Sequence, residues 1–261
     1  MEYVVCIKQV PDTTEVQWET ESKTLAREGI THTVNPFDKN AVEAALRLRE
    51  KYGGRVTLIS MGPPQAKEAL RECLAMGADE ALLLSDKTFA GADTWATSYT
   101  LAQAVNKLER YHIILCGKQA VDGETAQVGP GLAEHLGIPQ VTCIQKINKL
   151  ENSRLEVERT IEGGAERVAV SLPVLLTVEK SLNDPRYATL KGVMKANQKE
   201  IPLYDAGDLE VDPSLVGLKG SPTQVKKIFS PEKRVTGEII NGEPGEAAQK
   251  LAQKILELKL F

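Results

Sequence analysis

Up to about residue 145 the chain alternates short, unbroken apolar runs with segments of helical periodicity. That alternation admits few folds besides a parallel sheet with helical crossovers. Tyr3-Val-Val-Cys-Ile7 is apolar throughout, as a strand buried on both faces must be. A polar, hairpin-like excursion follows it. The next helix has a readable start: Asn35 is placed to cap it, Pro36 suits the first helical position, and Asp38 falls in the first turn, where negative charge is favoured. Ala41, Val42, Ala45, Leu46 and Leu48 supply its apolar side, and Gly53-Gly54 stops it. The same alternation predicts a strand at Val56–Met61, a helix through Leu70, Cys73 and Leu74 closed by Gly77, and a strand at Ala81–Leu84. It continues with a helix from an Asp93 cap to about Leu108, a strand at His112–Cys116, and a helix running from near Thr125 to near Gly137. Right-handed crossovers between parallel strands gather the strand-to-helix loops along one sheet edge, where ligands bind in such folds.

The pattern changes after about residue 150. Leu155, Val157 and Ile161 alternate with charges, Gly163-Gly164 turns, and Val168, Val170 and Leu172 alternate back, which predicts an antiparallel hairpin. From Asn183 onward Pro, Gly and charge dominate until a helix at about 244–259 carrying Leu251, Ile255 and Leu258 at helical spacing. The expected organisation is therefore a nucleotide-binding α/β domain over residues 1–182 and an arm over 183–261 that lacks its own core and wraps a partner. The terminal helix could pack on this chain's sheet or on that partner.

Several function classes conflict with the composition. Lys and Arg are interleaved with Asp and Glu, and the formal charge is −4, which excludes a nucleic-acid-binding surface of the usual kind. Cys6, Cys73, Cys116 and Cys143 are far apart and form no metal-ligand spacing, so no metal is expected and a reducing compartment is. The longest apolar run, Val168–Val178, is too short to insert in a membrane, and no signal segment opens the chain, so the expected location is cytoplasmic.

The segment that could carry chemistry is Gly117-Lys-Gln-Ala-Val-Asp-Gly-Glu-Thr-Ala-Gln-Val-Gly-Pro130. It leaves a buried strand, turns at Asp122-Gly123 and enters a helix, and exposed main-chain N–H groups at such a start form a ready anion site. Thr125 and Gln127 can add side-chain hydrogen bonds, and Pro130 makes the first turn irregular. A glycine turn with a helix cap accounts for the same pattern. Asn35-Pro-Phe-Asp38 belongs to the same predicted edge, as do Cys6, Lys8 and Met61 at strand ends, although a capped helix and a small buried cysteine explain them as well. Motifs for a phosphate loop, a nucleophile elbow or a zinc protease are missing, and Glu134 stands where a dinucleotide fingerprint needs its third glycine. His32, His112 and His135 stand alone, so no catalytic acid or base is assigned.

In order along the chain, Val5-Cys-Ile-Lys-Gln-Val-Pro-Asp12, Val34-Asn-Pro-Phe-Asp38, Met76-Gly-Ala-Asp79, the 117–130 segment and Asp184-Pro-Arg-Tyr-Ala-Thr-Leu190 resemble electron-transfer flavoprotein beta subunits, over essentially the whole length. The resemblance implies a Rossmann-like fold akin to the adenine nucleotide alpha-hydrolase group, paired with a homologous alpha subunit. It places an adenine cofactor at Cys6, Asn35, Phe37, Asp38, Met61, Gly117, Asp122, Gly123, Thr125, Ala126, Gln127 and Val128. In simpler members that ligand is AMP. In electron-bifurcating members it is a second FAD, and this chain resembles the latter, with small residues and free amides at Asp122–Val128 and Thr13 where an aromatic is common. Membership of that group implies hydride uptake from NADH and single-electron release, one electron toward an acyl-CoA dehydrogenase-type flavoenzyme and one to ferredoxin or flavodoxin.

Residues 183–197 resemble the family's recognition loop, with Leu190 as apolar anchor beside Tyr187, although Leu190 could instead fold inward. Lys219, Lys226, Lys227, Lys233 and Arg234 could meet the alpha chain or form a solvated face. Rival readings are an AMP-holding subunit that does not bifurcate, an ATP-binding sensor of the universal-stress type, and an ordinary NAD-dependent dehydrogenase.

Overall fold

A computed structural model of the chain describes residues 1–12, 18–19, 24–25, 32–226 and 237–258. Thr13, Lys227, Lys233 and Arg234 lie outside these. In chain order the elements are β1 (Glu2–Cys6), β2 (Gln9–Pro11), β3 (Trp18–Glu19), β4 (Thr24–Leu25), β5 (His32–Val34), α1 (Pro36–Tyr52), β6 (Arg55–Met61), α2 (Lys67–Met76), β7 (Glu80–Leu84) and α3 (Thr94–Asn106). They continue with β8 (Ile113–Gly117), α4 (Val128–Leu136), β9 (Gln140–Glu151), β10 (Arg154–Ile161), β11 (Gly164–Ser171), β12 (Val174–Val178), α5 (Leu190–Gln198), β13 (Leu203–Tyr204) and α6 (Pro244–Glu257).

Among the described residues, nine strands form one sheet in the order β11-β10-β9-β12-β8-β1-β6-β7-β13. From β9 to β13 every pairing is parallel, and β9-β10-β11 is antiparallel, so the chain has the expected α/β fold with an appended hairpin. Period-2 alternation divides β1 between two cores. Tyr3 and Val5 join Ala41, Leu46 and Leu70 on one face, while Val4 and Cys6 join Leu101, Ala133 and Leu132 on the other. Helices therefore cover both faces, which is why the central strands read as continuous apolar runs. β1 sits between β6, which follows it on one side, and β8 on the other. Where the winding direction reverses, the loops after neighbouring strands diverge and leave a crevice at the strands' carboxyl ends.

Three strands of this sheet, β9, β12 and β13, go beyond the expected set. β12 is wholly buried and lies parallel to both β8 and β9, and β9 runs from that parallel region out into the hairpin. Its mixed surface, with Lys146 and Lys149 exposed, hides the strand signal. The arm also differs from expectation. Compactness divides the chain at Gln224/Val225, later than the expected 182/183. Ile201, Leu209, Val211 and Val216 are buried with the main cores, β13 extends the sheet edge on β7, and α5 packs on α2. Asp93 clasps this stretch as it caps α3, donating its N–H to Ser221 Oγ (2.8 Å) and accepting from Thr223 N and Oγ1 (2.9 and 2.8 Å).

The second unit, Val225–Phe261, contains α6, whose Leu251 and Leu256 are exposed and none of whose residues is buried. No helix among the described residues is long and apolar enough to cross a membrane.

Candidate functional site

The carboxyl ends of β1, β6 and β8 bring Cys6, Met61 and Gly117 to one edge, and the first turn of α1 meets them there. The sharpest contact is between α1 and β8. Asp38 is buried (6% exposed), and its carboxylate accepts from Lys8 N (2.8 Å, Oδ2) and from Gly117 N (3.0 Å, Oδ1). One side chain thus ties the loops leaving two neighbouring strands. A Cβ on Gly117 would lie 2.3 Å from Asp38 Oδ1 and 2.6 Å from Phe37 Cβ, so the close approach itself requires glycine.

Asn35 does not act as the expected side-chain cap. It precedes α1, but its side chain makes no capping bond. Its Nδ2 donates to Gln119 O (2.9 Å) and its Oδ1 accepts from Val121 N (3.2 Å), so the amide group holds the Gly-rich turn 84 to 86 residues further on. Two part-buried main-chain groups of that turn take the Asn35 amide, and α1 already satisfies Asp38 N through Asn35 O (2.9 Å). Phe37 is half-buried and lies under the Lys180 ammonium, 4.8 Å from its ring centroid.

The turn itself differs from the expected early helix. Glu124 and Ala126 have φ of 51° and 55°, which no α-helix accommodates, so α4 begins at Val128 and not near Thr125. Pro130 then falls in the first helical turn, where its missing N–H costs nothing. The neighbouring amides are consumed: Glu124 N donates to Ala120 O (2.8 Å) and Gly131 N to Gln127 O (2.9 Å). Among the described residues, the N–H groups of Thr125, Ala126, Gln127, Val128 and Gly129 meet no acceptor. Alternation of left- and right-handed residues followed by a helix start turns such N–H groups into a concave donor set for an anion. Gly123 has open space around it, Ala126 is small, and Thr125 and Gln127 are exposed.

The charges around this set are arranged in pairs. Lys8 Nζ bonds both carboxylate oxygens of Asp122 at 2.7 Å, so Asp122 is engaged by a cation and adds little net negative charge to the turn. Burial pushes the Asp38 carboxyl up to about 7, against the opposing hydrogen bonds from Asn35, Lys8 and Gly117. Cys6 and Cys116 stand opposite each other in register; their hydrogen bond, then burial, push the Cys116 thiol well up, so it stays protonated and unreactive. Among the described residues no three His, Cys, Asp or Glu side chains converge as metal ligands.

Tyr187 and Leu190 are not brought to this edge. They follow Arg186, which is bonded to Glu43 and Glu50 of α1, and are 95% and 80% exposed, so Leu190 does not fold inward. A separate cleft of about 210 Å³ beside α1, lined by Arg47, Lys51, Tyr52 and Lys146, shares no residue with the Gly-rich turn. The tie residues Lys8 and Asn35 were visible only as local features. Nothing in their neighbourhood signals a partner beyond residue 115.

The Asp38 geometry makes a testable demand. The unfolded carboxyl titrates at 3.8 and the folded one near 7, so below about 4 both are protonated and stability is fully present. Between the two values the folded state holds the extra proton, and stability falls as pH rises, with a steepest slope of about 1.4 kcal/mol per pH unit. Urea unfolding of the wild type and Asp38→Asn from pH 4 to 8 is expected to show a difference between them that shifts across this window. A constant difference would contradict the buried carboxyl.

Comparison with known proteins agrees with this architecture. A family model described as electron transfer flavoprotein domain matches residues 22–209. The chain is 54% identical over 256 residues to the electron transfer flavoprotein subunit beta of Thermoanaerobacterium thermosaccharolyticum, covering 98% of each chain. It is 48% identical over 259 residues to subunit CarD of the caffeyl-CoA reductase–Etf complex of Acetobacterium woodii, again covering 98% of each. It is 41% identical over 262 residues to the protein FixA of Bradyrhizobium diazoefficiens, covering 98% of this chain and 91% of that one.

Proposed function

Because the chain belongs to the electron transfer flavoprotein family and is a beta subunit of it, we propose that it holds FAD at the Gly-rich turn and works in electron bifurcation. In this reading it pairs with an alpha subunit and moves electrons from NADH to an acyl-CoA dehydrogenase-type flavoenzyme and to a low-potential acceptor such as ferredoxin or flavodoxin. The observation that carries the reading is the row of unpartnered N–H groups from Thr125 to Gly129. A diphosphate offers several acceptor oxygens, and such a row matches them without a metal.

The residues present fit the group. Main-chain N–H groups of 125–129 and the Thr125 hydroxyl would hold its phosphates, and Cys6, Asn35, Phe37, Asp38 and Met61 would form the wall along the sheet edge. Lys8 neutralises Asp122 there, and burial raises the Asp38 carboxyl to about 7, so it carries less than a full negative charge near neutral pH. Bound flavin supplies two-electron exchange with a nicotinamide and one-electron exchange with other centres. The chain positions and orients it, which agrees with the lack of any assigned acid or base. The CarD relative's complex contains a CoA-ester reductase, which supports a dehydrogenase-type partner for this chain. The sensor and dehydrogenase readings find no support in the family.

Cofactor stoichiometry tests the proposal. After co-expression with the alpha subunit and denaturation, two FAD per heterodimer are expected. One FAD with one AMP would overturn the bifurcating reading and leave AMP as the occupant of the same donor set.

A further inference from the structure

Glu43 lies in the middle of α1 and is 2% exposed, a position that strongly disfavours an uncompensated carboxylate. It is compensated twice. Arg47, one turn on, donates Nε to Oε1 (2.6 Å), and Arg186, 143 residues away in sequence, donates Nε to Oε2 (2.7 Å) and its main-chain N–H to the same oxygen (3.2 Å). The other edge of the Arg186 guanidinium reaches Glu50, with Nη2 to Oε2 at 3.1 Å and a shorter contact from Nη1 to Oε1. Burial acts to raise the Glu43 pKa, but the bonds from Arg186 and Arg47 outweigh it and hold the carboxyl below its usual value. Two further ties come from the same helix. Arg47 Nη2 donates to Asp184 O (3.2 Å), and Asn40 and Asn183 bond reciprocally, Asn183 Nδ2 to Asn40 O at 3.0 Å and Asn40 Nδ2 to Asn183 Oδ1 at 3.1 Å.

Positions 40, 43, 47 and 50 lie on one face of a helix, so α1 grips residues 183–186 along its length. On the far side α5 is anchored independently. Thr189 caps it by accepting from Gly192 N (3.0 Å), and α5 lies so close to α2 that a Cβ on Gly192 would be 2.3 Å from Ala75 O. Tyr187 stands exposed between these anchors, and Leu190, likewise exposed, opens α5 three residues on. A free loop would lay such side chains back on the protein, because that removes apolar surface from water.

We propose that Glu43 and Arg186 are positioning residues for partner docking, fixing the stretch 187–189 and the entry into α5 at Leu190 so that the dehydrogenase meets a preformed surface. The proposal rests on the reading of this loop as a docking element. Preorganisation spares the partner the ordering cost and shows as a lower KM for the partner, with no change in the electron-transfer step itself.

The experiment uses the assembled heterodimer with a flavin-containing acyl-CoA dehydrogenase as electron partner. Arg186→Gln and Glu43→Gln are expected to raise KM for the dehydrogenase about tenfold, while kcat at saturating partner and cofactor content stay within about twofold. Arg186→Lys, which keeps the charge but loses the fork, should recover part of the effect. Glu50→Gln alters only a half-exposed partner of Arg186 and should raise KM by a smaller factor, which keeps the test decisive if Glu43→Gln does not fold. Unchanged KM in the Arg186 and Glu50 variants, or KM and kcat worsening together with cofactor loss, would overturn the positioning role. Leu190→Ala in the same assay separates the two ideas. If it leaves KM unchanged the docking reading itself fails, whereas a raised KM there with normal Arg186 variants sinks only the clamp.

Discussion

Thr125→Glu is expected to strip the adenine cofactor from this subunit while leaving its fold intact. Thr125 is exposed and its N–H is the first of the unpartnered row, so a longer side chain meets no packed neighbour. A carboxylate in that place competes for the same donors and repels a phosphate, and charge-assisted bonds lost this way amount to about 2–3 kcal/mol or roughly a hundredfold in Kd. Adenine nucleotide released from the purified heterodimer measures it, with Thr125→Ser as the control that keeps the hydroxyl. Compared with both proteins stripped of cofactor, the variant should unfold within about 2 °C of wild type, since surface substitutions rarely exceed about 0.5 kcal/mol. A full complement of cofactor in Thr125→Glu would place the phosphates somewhere else.

Gly117→Ala is the larger insult to the fold. The added methyl would lie 2.3 Å from Asp38 Oδ1 and 2.9 Å from Asp38 N, and neither atom can yield without moving the first turn of α1 away from β8. Overpacking of this kind costs about 1–3 kcal/mol. The displaced turn would also release the Gly117 N–H bond to Asp38 and, through Asn35, the grip on Gln119 and Val121. Urea midpoint and cofactor content should therefore fall together. Gly123→Ala makes a direct comparison, because nothing lies within 4 Å of a Cβ there, and it should unfold close to wild type. Equal stabilities for the two alanine variants would mean that β8 and α1 do not approach as closely as described.

The clamp on residues 183–186 and the cradle at 117–129 lie at different places along one helix. Asn35 and Asp38 hold the cradle, and Asn40, Glu43 and Glu50 hold the loop. The cradle variants are thus expected to act on cofactor content, and the clamp variants on the partner's KM.

Much of the architecture could be read from local pattern, since strands buried on both faces must be apolar throughout and crossover helices must be amphipathic. Tyr3–Ile7, the glycine stops of α1 and α2, the Asp93 cap and the hairpin through Gly163 all follow from neighbours within a few residues. The Gly117–Pro130 turn was legible for the same reason. Its strand, turn and helix start are contiguous, and the fold class alone sends that loop to the binding edge.

Other features depend on atoms that meet only after the chain has folded. Asn35 has the right chemistry for a cap, and only the arrival of Gln119 and Val121 redirects its amide. α4 starts later than local pattern implies because Glu124 and Ala126 adopt positive φ, which nothing in their side chains signals. Ile201, Leu209, Val211 and Val216 are single apolar residues in a polar stretch, without a period to reveal that they complete the main cores. The sheet, its helices and the edge where a phosphate would be met could be inferred from residue order, because these rest on short-range periodicity. Which amides stay unpaired and which carboxylates hold Arg186 emerged only on folding, because a hydrogen bond is set by distances of a few ångströms between residues that can be more than a hundred positions apart.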